Sequence, residues 1–158
     1  VILANELVSG SCVFDGISGR LIDMEIAVKG DGYNEFAIDL AKNDRYYTRF
    51  TYDGRKNIIE LDRTFAGFER DVVCIRRAEV KPSYSADSQR GSAEDVGSID
   101  EQIKLRFILD RNSIELFVND GIMTMSTAIY TPVTATGIEF SCDGKAAVDI
   151  EKYDIKMN

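Results

Sequence analysis

Residues 109–121 read LDRNSIELFVNDG, and the way this stretch pairs with the residues before it decides the fold. Suppose Leu109 pairs with Ile114 around a turn made by Asp110, Arg111, Asn112 and Ser113. Phe107 then falls opposite Leu116, and Leu105 opposite Val118. Successive side chains on a strand point to opposite faces, so this one register puts all of those apolar groups on a single face, and a slip of one residue would expose them. The other face carries Lys104, Arg106 and Ile108 beside Glu115, Phe117 and Asn119, with Glu115 diagonal to Arg106. The stretch therefore reads as a half-buried antiparallel hairpin.

Its three carboxylates, Asp110, Glu115 and Asp120, invite a catalytic reading, since many glycoside hydrolases work with a carboxyl pair. Each has a plainer role. Asp110 opens a turn, where an aspartate caps the amides that follow it. Glu115 has Arg106 within reach, which favours the ionised form and suits neither a general acid nor a proton shuttle. Asp120 belongs to Asn-Asp-Gly, which is turn chemistry. At that second turn a two-residue Asp-Gly loop pairs Val118 with Met123 and Leu116 with Met125. A three-residue loop bulged at Gly121 would set Ile122 and Thr124 opposite them instead. The first is preferred because it adds the methionines to the core.

Outward from the hairpin, period-two alternation recurs and helical periodicity is hard to find. Strands are expected over 22–28, 36–40, 46–52, 58–61, 72–75, 103–109, 114–118, 123–130, 134–140 and 146–155. Asp-Gly pairs at 53–54, 120–121 and 143–144 read as hairpin turns. About ten short strands with tight turns imply an all-β, antiparallel two-sheet sandwich or a barrel. The segment 81–101, KPSYSADSQRGSAEDVGSIDE, reads as a long exposed loop.

A chain of 158 residues is one domain by length. Nineteen basic against twenty-seven acidic residues give a net charge of -8, which repels nucleic acid and anionic membranes. No apolar run approaches the ~20 residues of a membrane span. With no histidine, Ser-His and Cys-His catalytic pairs are excluded and the commonest metal ligand is missing. No tryptophan is present to offer a sugar platform, but seven tyrosines are. Cys12, Cys74 and Cys142 are odd in number and widely spaced, fitting neither a zinc knuckle nor a disulfide framework; they read as buried thiols. No metal or cofactor is implied. The start at Val1, in VILANELVSG, shows no signal peptide and reads as an excised or processed chain, leaving a cytoplasmic or secreted location equally open.

The run LRFILDRNSIELFVNDG at 105–121, followed by IYTP at 129–132, resembles the C-terminal β-sandwich module of glycoside hydrolase family 32. The matching residues are Asp110, Arg111, Ser113, Glu115, Phe117, Asn119, Asp120 and Gly121. Upstream, LDRTFAG with Leu61, Asp62, Arg63 and Gly67 is similar to the family's other module signature, and Gly137-Ile138-Glu139 to its end. The family holds invertases, sucrose-6-phosphate hydrolases, levanases and inulinases. The resemblance implies a concanavalin-like or lectin-like sandwich spanning residues 1–158, cut from an enzyme whose N-terminal five-bladed propeller carries the catalytic carboxylates. The propeller's motifs, Asn-Asp-Pro-Asn-Gly, Arg-Asp-Pro and Glu-Cys, have no match here, so it implies no catalytic residue in this chain. It implies instead a scaffold that packs on the propeller, with dimerisation as a further role. A related carbohydrate-binding module family suggests a different use, recognition of fructose-containing sugars. The candidate residues for that use are Asp62, Arg63, Arg111, Glu115 and Tyr130, each of which has an architectural role as the alternative. A free-standing lectin-like domain is the third reading.

Overall fold

The computed structural model describes residues 1–67, 74–80 and 102–158. Among the described residues there are ten strands: β1 (Ile2–Cys12), β2 (Ile22–Lys29), β3 (Glu35–Lys42), β4 (Thr48–Asp53), β5 (Ile58–Asp62), β6 (Ile75–Glu79), β7 (Gln102–Leu109), β8 (Ser113–Val118), β9 (Met123–Ala128) and β10 (Gly137–Asp154). Among the described residues there is no helix. All pairings are antiparallel, in the order β6-β5-β4-β3-β10-β2-β7-β8-β9, with β1 along β10. The sheet curls on itself into a sandwich. Phe50 of β4 meets Phe107 of β7 edge-on, ring centroids 5.1 Å apart, so the two wings share one core. The expected all-β sandwich is what the chain forms.

The hairpin has the expected register, with Leu109 against Ile114, Phe107 against Leu116 and Leu105 against Val118. All six side chains are buried, with Phe107 among the largest groups fully removed from water. Beyond it Val118 pairs with Met123 and Leu116 with Met125, and both methionines pack against the core. The loop between them is wider than a two-residue Asp-Gly turn. Gly121 N donates to Val118 O, and Asn119, Asp120 and Gly121 are all left-handed, with φ of 48°, 59° and 88°. Asn and Gly tolerate that region, and the three successive residues leave Ile122 exposed.

Asp143-Gly144 is not a turn. It lies inside β10, an 18-residue strand in which the expected strands at 134–140 and 146–155 are continuous. Residues 137–142 pair with β3 and residues 147–154 with β2, so the dipeptide marks where β10 leaves one wing for the other. Gly144 passes against the backbone: a Cβ there would sit 1.9 Å from Gly32 O. Asp143 accepts from the amides of Asn34 and Glu35 at 2.8 and 3.1 Å, closing the β2–β3 connection.

Other boundaries shift by local chemistry. Tyr46 and Tyr47 precede β4, because Asn43 Oδ1 accepts from the amides of Arg45 and Tyr46 and bends the chain there. Strand β9 stops at Ala128, and β6 starts at Ile75. The residues 72–73 expected in a strand lie outside the described residues, as does the 81–101 loop. Strand β1 was not expected. A register shift between Leu3 and Glu6 breaks its alternation, and Val8 is its one buried apolar side chain; at a second shift, between Ser9 and Gly10, the extra residues lie on β10.

Candidate functional site

Antiparallel connections gather segments 13–21, 43–47, 63–67, 110–112 and 129–136 at one end of the sandwich. Main-chain bonds stitch them together: Tyr47 N to Phe65 O, Tyr130 N to Ala66 O, Ile129 N to Asn112 O and Gly19 N to Thr136 O. Four of the five candidate sugar-binding residues lie in this pole. Asp62 ends β5 and uses Oδ1 to accept from the amide and hydroxyl of Thr64, at 2.9 and 2.6 Å, which starts the turn that Ala66 N closes onto Arg63 O. Arg63 reaches Thr127 Oγ1 at 3.4 Å through Nη1. Gly67 is left-handed, at φ 86°, and lies so close to Tyr130 that a Cβ would come within 2.8 Å of its carbonyl. Tyr130 itself is 64% exposed. Arg111 contributes its carbonyl to the pole while its side chain faces solvent.

The residue that organises this end is Arg20, which sequence reasoning missed. It is 6% exposed and surrounded by acceptors: Nη1 donates to Thr131 Oγ1, Pro132 O and Ala135 O at 2.8, 3.0 and 3.2 Å, and Nη2 to Arg111 O and Thr131 O at 2.8 and 3.0 Å. Burial pushes its pKa down, and the nearby Asp110 carboxylate opposes that shift. Asp110 accepts from the amides of Asn112 and Ser113, both at 2.8 Å, and the Asn112 bond in particular holds its pKa low. Its role is the expected cap.

Glu115 stands apart from the pole. It is exposed on β8, with Ile108 and Ser126 as its cross-strand neighbours. The diagonal placement near Arg106 is present, but the ion pair expected from it is not. Arg106 bonds bidentately to Asp23 of β2, Nε to Oδ1 at 2.9 Å and Nη2 to Oδ2 at 2.6 Å, which lowers the Asp23 pKa. The hairpin pattern alone carried no information about which strand would flank β7.

Exposed Phe65 stacks on Tyr47 with centroids 5.3 Å apart, and Tyr47 also takes Lys42 Nζ at 4.9 Å and the Arg49 guanidinium at 5.0 Å over its ring. The Arg49 fork is held by Asp39, at 2.7 and 2.9 Å. With Tyr130 and the half-exposed Val133, this gives the pole an aromatic and cationic surface on an acidic chain. Among the described residues no group of three His, Cys, Asp or Glu side chains is placed to hold a metal.

This sandwich can be set beside known proteins. A family model described as "Glycosyl hydrolases family 32 C terminal" matches residues 3–156. The chain belongs to that family. It is 30% identical over 114 residues to a probable sucrose-6-phosphate hydrolase of Vibrio cholerae, covering 72% of this chain and 17% of the relative. An exo-inulinase from Aspergillus awamori superposes with a TM-score of 0.77 at 21% identity, over 99% of this chain and 29% of that one. The galectin LEC-6 of Caenorhabditis elegans superposes with a TM-score of 0.62 at 14% identity, over 96% and 95%. The chain thus spans about a sixth of its curated relative and under a third of the inulinase, and it forms the C-terminal sandwich of the family 32 architecture.

Proposed function

We propose that the chain is the non-catalytic accessory module of a β-fructosidase, packing on a catalytic propeller and stabilising it. One observation carries this reading: every carboxylate of the family's hairpin signature has an architectural or solvent-facing position. Asp110 caps a turn, Asp120 is 79% exposed at a loop tip, and Glu115 has an aliphatic and a hydroxyl side chain as its cross-strand neighbours. A retaining glycosidase needs two carboxyl groups ~5 Å apart about a bound sugar. The reading is further supported by the small share of each relative that the chain spans.

Two assays test it. The 158-residue chain releases no fructose from sucrose, levan or inulin, and a release rate abolished by Glu115→Gln overturns the reading. A parent hydrolase carrying this module inactivates more slowly on heating than the same enzyme without it; equal half-lives remove the stabilising role.

A second reading, recognition of a terminal fructose unit, is favoured by the exposure of Tyr130 next to the Asp62–Arg63 turn. Calorimetric titration with fructose, levan and inulin separates the two. Heat lost in Tyr130→Ala supports recognition, and no heat at millimolar sugar leaves the scaffold. Sedimentation of the parent enzyme tests the homodimer expected from the resemblance.

A further inference from the structure

On the outer face of the β2–β7–β8 sheet, away from the pole, a recess of about 240 Å³ is lined by Glu25, Lys104, Arg106, Phe117, Asp120 and Gly121. We propose that this recess binds a single neutral sugar ring, with the Arg106 guanidinium as its fixed hydrogen-bond donor.

The recess follows from register. Glu25 pairs with Arg106, and Arg106 with Phe117, so the three lie side by side in one row across three strands. Lys104 belongs to the next row, where its amide donates to Asn119 Oδ1 at 3.0 Å and its carbonyl accepts from Asn119 N at 2.9 Å. Those two bonds tie the left-handed Asn119–Gly121 loop to β7 and make Asp120 and Gly121 the rim.

Three properties select the ligand. First, Arg106 lines the recess while Asp23, outside it, grips Nε and Nη2. A guanidinium fixed from behind has already lost most of the rotamer freedom that binding would otherwise remove. Second, the charges nearly cancel: Lys104 and Arg106 stand against Glu25, Asp120 and Asp23, a sum of -1. That balance favours neither a phosphate nor a cation. Cations donate and carboxylates accept, so together they suit a ligand whose hydroxyls do both. Third, the half-buried Phe117 ring offers an apolar surface to the C–H face of such a ligand. Drug-sized ligands need ~300–1,000 Å³, so the smaller recess suits one ring. The proposal does not depend on packing against a propeller, and it uses none of the pole residues.

The test is titration of the ¹⁵N-labelled chain with fructose, glucose and sucrose, followed through backbone amide shifts. Saturable shifts are expected at Lys104, Arg106, Phe117 and Gly121, with a dissociation constant on the order of 10 mM for so small a contact. Arg106→Gln should weaken binding about tenfold while leaving the spectrum otherwise native, and Arg106→Lys should not restore it because the planar fork is lost. Asp23→Asn leaves the lining intact but releases the fork, so a smaller loss is expected. Shifts confined to the Asp62–Tyr130 pole, no shifts at ten times that concentration, or shifts unchanged in Arg106→Gln would each overturn the proposal.

Discussion

At the pole, Arg20 is 6% exposed and gives five hydrogen bonds to one threonine hydroxyl and four backbone carbonyls, whereas on the sheet face Arg106 is half exposed and bound to a single carboxylate. The two side chains carry the same charge into different surroundings. Arg20 joins the β7–β8 turn to segment 131–135, its two Nη groups donating to acceptors that no strand ladder satisfies while its buried Nε has no hydrogen-bond partner among the described residues. Arg106 is one partner of a solvent-facing pair, and such pairs add little to stability. Arg20 thus ties loops together at one end, whereas Arg106 pairs with a carboxylate on an exposed face.

The largest test of that contrast is Arg20→Met, which keeps much of the side-chain volume and removes every donor. Each stranded buried acceptor costs ~1–3 kcal/mol, though water will enter to satisfy some of them, so a net loss of about 3 kcal/mol or more is expected. Urea denaturation measures it. A loss under about 1 kcal/mol would mean that solvent can replace the guanidinium and that the pole does not differ in kind from the face.

What was legible in the sequence follows the same division. The β7–β8 register could be read because six apolar positions agree on one face, and four candidate residues gather at the pole because antiparallel turns return to the same end. Arg20 could not be read, since Gly19-Arg20 in a connecting loop has no period and its acceptors lie 91 to 115 residues away. Asp120-Gly121 and Asp143-Gly144 are the same dipeptide locally. One sits at a loop tip, and the other lies within β10 where the strand changes partner, held by the 32–35 connection through the amides of Asn34 and Glu35. A bulge hid β1, because the extra residue between Leu3 and Glu6 reverses which side chains face the core.

Gly144→Ala extends the comparison to the end of the molecule opposite Arg20. A methyl 1.9 Å from Gly32 O must displace backbone, at a cost of about 1–3 kcal/mol. Gly121→Ala, with open space but a φ of 88°, should cost about 1 kcal/mol from conformation alone. Equal melting temperatures for the two variants would show that β10 is not pinned where it changes partner.

Acid acts on both regions in the same direction. Asp110, Asp143, Asp149 and Asp23 all have pKa values below the ordinary 3.8; the causes are backbone amides for the first two, Lys29 for the third and Arg106 for the fourth. A carboxylate whose folded pKa is lowered contributes stability that is intact above its unfolded value and is lost as pH falls through the folded one. Stability should therefore hold from neutrality down to about pH 4 and decline below it. Asp143→Asn should flatten that decline, and a decline beginning above pH 5 would contradict these assignments.

The smallest effect expected is that of Glu115→Ala, and it bears most directly on function. Had Glu115 been the partner of Arg106, its loss would strand a charge and cost ~1 kcal/mol. Because Asp23 holds that arginine with both oxygens, Glu115→Ala should change stability by less than about 0.5 kcal/mol, while Asp23→Ala approaches the ~1 kcal/mol upper range for an exposed pair. A double-mutant cycle with Arg106→Ala gives the coupling of each carboxylate separately. Coupling to Glu115 larger than coupling to Asp23 would move the fork toward β8. It would then no longer be fixed from outside the recess, and the face, like the pole, would have its donors committed to structure.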